Sequence, residues 1–187
     1  PWIRSATRGA TWRETTANPS WRRVDDAAIA TPAPAASCTP HNRPMRVTPR
    51  RLALGMSLWA PNLFSGIRIR RFSDDWTHAT VELHVNLITR NYVKTAFGGS
   101  MSAMTDPYFF MLVMHQLGRD YVVWDTRGEI AFVKPGRGVL TAEFHVSPEK
   151  ADDLRERARG GAKVLEWFET DITDASGDVV ARVRREV

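Results

Sequence analysis

Apolar and polar residues follow a regular pattern over most of this chain, and the pattern changes period several times. Residues 50–59 space their apolar positions as an amphipathic helix would, with Pro49 suited to the first position and Pro61 to its end. Residues 66–72 alternate, with Ile67 and Ile69 on one face. The clearest strand is 77–87, where Ala79, Val81, Leu83, Val85 and Leu87 alternate with His78, Thr80, Glu82, His84 and Asn86. One apolar and one polar face suit an antiparallel sheet. Residues 100–117 then read as one long helix that is apolar nearly all round, and such a helix is buried on most sides. Gly118 ends it.

The second half repeats these signals. Residues 121–133 and 139–146 read as strands around a turn at Lys134-Pro135-Gly136; Leu140, Ala142, Phe144 and Val146 share one face. Ser147-Pro148-Glu149 is a helix start, with a capping Ser, a Pro at the first position and an acid in the first turn. That helix runs to about Arg159 and stops at Gly160-Gly161. Residues 163–173 and 179–187 form a final hairpin across Ala175-Ser176-Gly177. The expected fold is α+β, a curved antiparallel sheet wrapped around one long buried helix.

Residues 1–44 do not share this order. They hold six prolines, many Ala, Ser and Thr, and no sustained apolar period. They are expected to be a disordered or non-native N-terminal extension, with Met45 as the natural start and residues 45–187 as the domain. The charge agrees with that division. The chain carries a formal +5, of which +3 falls in residues 1–44 and +2 in the rest. A basic balance seated partly in a tail argues against nucleic acid as the partner. The single cysteine, Cys38, forbids an intrachain disulfide and is compatible with the cytoplasm. The longest apolar run, residues 108–114, falls far short of the roughly 20 residues that span a bilayer. No Cys/His/carboxylate cluster has zinc-site spacing, so neither a metal nor another cofactor is expected.

Chemistry is expected between Gly98 and Asp106. Two glycines at the start of an apolar helix leave peptide N–H groups open to a ligand, where they can hold an anion or polarise a carbonyl. They also suit a plain tight turn. Asp106 stands among apolar neighbours, and a carboxylate there is either a base or nucleophile or a helix cap ahead of Pro107. The cap would split the long helix at residue 106. Asn91 is a candidate for holding substrate or water, or for closing a turn. Lys134, Arg137, Arg90 and Lys94 are candidate contacts for phosphate groups, or ordinary exposed cations.

The run Phe97-Gly98-Gly99-Ser100-Met101-Ser102-Ala103-Met104-Thr105-Asp106 resembles the His-Gly-Gly…Asp signature of hotdog-fold acyl-CoA thioesterases, notably the phenylacetate-pathway type. The stretch from Pro49 to the C-terminus also resembles a branch often labelled tetrameric acyl-CoA thioesterase, through Thr95-Ala96-Phe97-Gly98-Gly99, Tyr121-Val122-Val123-Trp124, Phe132-Val133-Lys134-Pro135-Gly136 and Gly177-Asp178-Val179-Val180-Ala181. The resemblance implies a hotdog fold and hydrolysis of an acyl-CoA to free acid and CoA. It implies that Gly99, with Gly98, offers N–H groups to the thioester carbonyl and that Asp106 activates water or attacks; Asn91 stays a candidate beside them. Phe97, Gly98, Ser100, Lys134 and Arg137 would meet the substrate. Phe97 stands where the family has His, which favours the alternative of a non-catalytic acyl-CoA binder. Along one straight helix, seven residues span about 10 Å. A single carbonyl could not touch both Gly99 and Asp106 of one copy, so the site is expected across a homodimer, alone or within a dimer of dimers.

Overall fold

The structure, a computed structural model, describes residues 47–187; the extension expected over 1–44 and the start expected at Met45 lie outside the described residues. The domain opens with α1 (Pro49–Leu58), capped by Thr48, whose Oγ1 accepts from Arg51 N at 3.4 Å. Pro61 was expected only to end this helix. Trp59 does break the helical path, but Pro61 then opens a second helix, α2 (Ala60–Ser65). A first-turn proline loses no helical hydrogen bond, so it starts a helix as readily as it stops one.

Strands β1 (Ile67–Phe72) and β2 (His78–His84) follow. Ala79, Val81 and Leu83 are buried, as their alternation predicts. The strand stops three residues short of its expected end. Asn86 Oδ1 accepts from Ile88 N and Thr89 N at 2.8 and 3.2 Å, which turns the chain out of the sheet and leaves Leu87 exposed.

The long helix expected over 100–117 is two helices, α3 (Gly98–Ala103) and α4 (Tyr108–Leu117), separated by Met104, Thr105, Asp106 and Pro107. Proline has no N–H to give the ladder and pushes the residue before it away from helical geometry. The break falls at residue 106, but Asp106 is not a cap. Pro107 holds the capping position, and no side chain caps α4. The arithmetic of a straight helix between Gly99 and Asp106 therefore does not apply.

Residues 121–126 lie outside any strand, and Thr126 N meets Glu186 O at 2.8 Å just before the ladder begins. Strand β3 (Arg127–Phe132) is consequently shorter than expected. Strand β4 (Val139–His145), helix α5 (Pro148–Arg157), a 3-10 turn at Arg159–Gly161, and strands β5 (Trp167–Thr173) and β6 (Val179–Glu186) complete the domain. Ser147 caps α5 as its sequence predicts, accepting from Lys150 N at 3.2 Å.

The six strands form one antiparallel sheet in the order β1-β2-β4-β5-β6-β3. Helix α4 lies against it. Phe109 meets Phe144 edge-on at 5.0 Å and stacks on Phe168 at 5.1 Å, which ties the helix to β4 and β5. Tyr108, Leu112 and Val113 are buried beside them. Burying each such side chain contributes about 1.5–3 kcal/mol, and these contacts fix where the N-terminal end of α4 stands. Among the described residues, no helix is long and apolar enough to cross a membrane.

Candidate functional site

Asp106 stands at the α3–α4 break with its side chain 51% exposed. A buried arginine holds it. Arg185 on β6 faces inward, on the side of the strand shared by Ala181 and Val183, with only 9% of its side chain exposed. Its Nη1 lies 3.3 Å from Asp106 Oδ2. Its Nη2 donates to Ser102 O at 2.8 Å and to Thr105 Oγ1 at 3.2 Å. One guanidinium thus ties together the end of α3, the break and the carboxylate. Planar, fixed donors make arginine suited to this kind of clamp.

Gly128 makes the reach possible. It sits opposite Arg185 in the β3–β6 ladder, and a Cβ placed there would stand 2.6 Å from Arg185 Nη1 and 3.0 Å from Cζ. The guanidinium crosses the strand through the space a side chain would fill.

Asp125, in the segment leading to β3, completes the cluster. Both of its carboxyl oxygens are buried without a hydrogen-bond partner, and so is Arg185 Nε. Burial pushes the Asp125 carboxyl up to about 6, Asp106 adds to the rise, and Arg185 opposes it. Tyr108, the first residue of α4, has its phenol raised mainly by burial and then by the Asp106 charge.

The glycine pair opens α3, where first-turn N–H groups have no helical acceptor. Aromatic rings lie close to both glycines. A Cβ on Gly98 would come within 3.0 Å of the Phe132 ring, and one on Gly99 within 2.5 Å of the Phe97 ring. Phe97 is itself 56% exposed. Ser100 is buried beneath the first turn.

Other candidates are placed elsewhere. Asn91 gives both amide hydrogens to its own turn, to Thr95 Oγ1 at 3.0 Å and Ala96 O at 3.1 Å. Its Oδ1 accepts from Thr95 N at 3.0 Å and Thr95 Oγ1 at 3.2 Å. The side chain that was a candidate to hold substrate is occupied in shaping the loop. Lys134 lies 2.8 Å from both Asp174 and Asp178, and those two hydrogen bonds raise its pKa above the ordinary lysine value. It is a strap between the β3–β4 and β5–β6 turns rather than a free phosphate contact. Arg137 is exposed on the β3–β4 loop. Met104 is fully buried in the core. An apolar cavity of about 620 Å³ lies by the far end of α4, between Leu117, Trp124, Leu154 and Val164; Asp106 and the glycines are not among its lining residues.

Residues 50–187 match the model of the Domain of unknown function family DUF4442, nearly three quarters of the chain. The chain belongs to the DUF4442 family. Solved structures show which fold this DUF4442 domain has. It is similar to the probable thioesterase PA5026 of Pseudomonas aeruginosa, at 16% identity and a TM-score of 0.60, over 77% of this chain and 95% of that one. It is similar to the E. coli PaaI protein from the phenylacetic acid degradation operon, at 20% identity and a TM-score of 0.52, over 73% and 88%. It is likewise similar to thioesterase superfamily member 2 of Mus musculus, at 15% identity and a TM-score of 0.53, over 76% and 97%. No curated protein matches the chain. The DUF4442 domain has the hotdog fold of these solved structures, as the glycine motif and the strand pattern led us to expect.

The sequence pattern singles out Asp106 and the glycines as candidates but not Arg185, Asp125 or Gly128, which the structure places around Asp106. Arg185 did leave a signal: in Ala181-Arg182-Val183-Arg184-Arg185, strict alternation turns an arginine toward the core.

Proposed function

We propose that this DUF4442 protein hydrolyses acyl-CoA thioesters, adding water to the carbonyl and releasing a free acid and CoA in the cytoplasm. The observation that carries the reading is Asp106: a half-exposed carboxylate at a break in the central helix, backed by a buried arginine. A carboxylate so held is open to substrate on one side and fixed on the other, as a general base or nucleophile requires. In this reading Asp106 takes a proton from water or attacks the carbonyl carbon. The peptide N–H of Gly99, with Gly98, receives the oxygen as negative charge develops. Phe97, Gly98, Ser100 and Arg137 border the bound thioester.

A homodimer, alone or paired into a tetramer, completes the site in this reading. Support comes from β3, which ends the sheet and is exposed along most of its length; Phe132, whose ring lies beside Gly98, and Val133 are both more than half exposed. A strand edge of this kind is a ready surface for a second copy.

A second reading has one observation in its favour. Phe97 replaces the histidine of the resembled motif and lays its ring against Gly99. That arrangement suits a protein that binds an acyl-CoA without turning it over.

The test is a panel of aliphatic and aromatic acyl-CoA esters assayed for free thiol, with wild type beside Asp106→Asn. The hydrolytic reading expects turnover with at least one ester and a loss of about 10²–10⁴-fold in the variant. Tight binding with no thiol release from any ester selects the second reading.

A further inference from the structure

One face of the domain sets exposed apolar side chains beside arginines that have no partner. Helix α1 is fastened to β1 by its other side. Ser57 Oγ accepts from Ile69 N at 2.9 Å and donates to Ala53 O at 2.8 Å, and Ala53 is buried. Leu54 and Leu58, one helical turn apart, therefore point away from the core. They lead into Trp59 at the α1–α2 break and into Leu63 and Phe64 on α2. All of these side chains are more than half exposed, Phe64 at 75%. Exposed apolar residues scattered singly are ordinary, but a contiguous group of this kind marks an interaction surface.

The next strand supplies charge. Strand β1 is an edge of the sheet, and Arg68, Arg70 and Arg71 all face outward on it. Plain alternation would turn one of the consecutive arginines inward. The register with β2 shifts between Ile69 and Arg71, and this bulge brings both to the surface. Arginines and apolar side chains meet in two hollows. The first, about 680 Å³, is lined by Arg50 and Leu54 of α1 together with Arg70, Arg71 and Asp74. The second, about 150 Å³, is lined by Leu63 and Phe64 of α2 together with Arg68 and Ile88. Arg70 is paired with Glu82 at 2.9 Å. Among the described residues, Arg50, Arg51, Arg68 and Arg71 have no ion-pair partner.

We propose that this face, built from α1, α2 and β1, docks on an anionic lipid surface. Leu58, Trp59 and Phe64 enter the boundary between headgroups and acyl chains, and the arginines meet the lipid phosphates. A helix that shows Leu, Trp and Phe on one side with arginines at its flank has the composition of an element lying in a membrane interface. The amphipathic ring of Trp suits the headgroup level. Charge on an edge strand also blocks strand pairing, but exposed Leu58, Trp59 and Phe64 beside it work against that use alone. The charge also selects lipid over a second copy of the chain. Two copies meeting through this one patch about a twofold axis would set arginine against arginine. The β3 edge, which serves the dimer proposed above, is at the opposite end of the sheet from β1, so that contact leaves this face open. The lipid contact does not depend on the hydrolytic reading.

The experiment floats the full chain with vesicles of phosphatidylcholine, with and without phosphatidylglycerol. Wild type should bind the mixed vesicles at least about tenfold more tightly than the neutral ones, and added salt should weaken the binding. Phe64→Glu and Arg68→Glu should each lose about tenfold or more, with unfolding midpoints close to wild type because both positions are exposed. Val122→Glu, at an exposed apolar position outside the face, should bind like wild type. These variants separate the face from basic charge elsewhere, such as the arginines of residues 1–44. A chain that does not bind the mixed vesicles overturns the proposal. Equal binding to both kinds of vesicle does so too, as does wild-type affinity in Phe64→Glu and Arg68→Glu. Sedimentation velocity supplies the remaining outcome. If wild type self-associates, Phe64→Glu does not, and neither binds vesicles, a second copy covers the face and the proposal falls.

Discussion

Arg185 lies across Gly128. The glycine faces it in the β3–β6 ladder, and the guanidinium fills the space where a side chain would begin. Gly128→Ala must displace it, because 2.6 Å from a Cβ to Nη1 is not a possible contact. Removing the partners of a buried charge costs about 3–5 kcal/mol at full burial. Asp106 is half exposed, so the expected loss is nearer 1–3 kcal/mol, since solvent screens the pair. Urea unfolding of wild type and Gly128→Ala measures it. An unchanged midpoint would mean the arginine has another way to Asp106.

Asp125 gives a prediction in pH. Its carboxyl is raised to about 6 in the fold against 3.8 as the ordinary value. A raised acid is protonated more readily in the fold than in the unfolded chain, so the unfolded state loses its proton first as pH rises. Stability is therefore lost between about pH 4 and pH 6 and does not return above that range. The loss is of order 1–3 kcal/mol. Asn has no charge to develop. The stability of Asp125→Asn relative to wild type should climb through the same interval and then level off. Chemical denaturation at half-unit pH steps checks the sign; a parallel pair of curves would exclude it.

Asn91 distinguishes shape from chemistry. All four of its side-chain hydrogen bonds close the 91–96 turn. That turn sets where Phe97 and the first turn of α3 begin. Asn91→Ala should lower stability by about 2 kcal/mol, from several buried partners left unmet. Turnover per folded molecule should stay within about threefold, since general acid–base groups contribute far more than that. A drop of a hundredfold with stability unchanged would return Asn91 to the chemistry.

The core was legible where the sequence repeats at a fixed period. Ala79, Val81 and Leu83 alternate, and so do Leu140, Ala142 and Phe144; all six are buried. Helix α5 was legible because its signals are local, with Ser147 and Pro148 side by side. The apolar run over 100–117 was misleading in one respect. Residues on both sides of Asp106 are buried, so apolar character passes through the break unmarked, and only Pro107 records it. The Asp106–Arg185 pair was invisible for another reason: its partners stand 79 residues apart, and no local spacing encodes a cross-sheet reach through Gly128. Asp125 carried no signal at all in the sequence, since its unusual state comes from what surrounds it.

Phe97 offers the sharpest test of whether the protein is a catalyst or a binder. Its ring approaches the point where a Gly99 Cβ would stand to 2.5 Å, and the residue is 56% exposed, so the ring leans over the peptide without being sealed in. An apolar ring there adds no hydrogen bond to a substrate carbonyl, and over a bound substrate it would exclude water beside the peptide. Those effects oppose each other: a drier site strengthens the peptide dipole, while a missing donor weakens the hold on the developing oxyanion. Phe97→His replaces the ring with a smaller one that carries polar nitrogens. If Gly99 receives the thioester oxygen, the variant should change kcat by about tenfold or more, in the range that single donors at such sites contribute, while folding stability moves by less than about 1 kcal/mol because the side chain is largely exposed. If the protein only binds, the variant should change the affinity for an acyl-CoA and still release no thiol. Paired measurements of thiol release and of acyl-CoA binding by calorimetry separate the two outcomes. No change in either would remove Phe97 and Gly99 from the substrate's path.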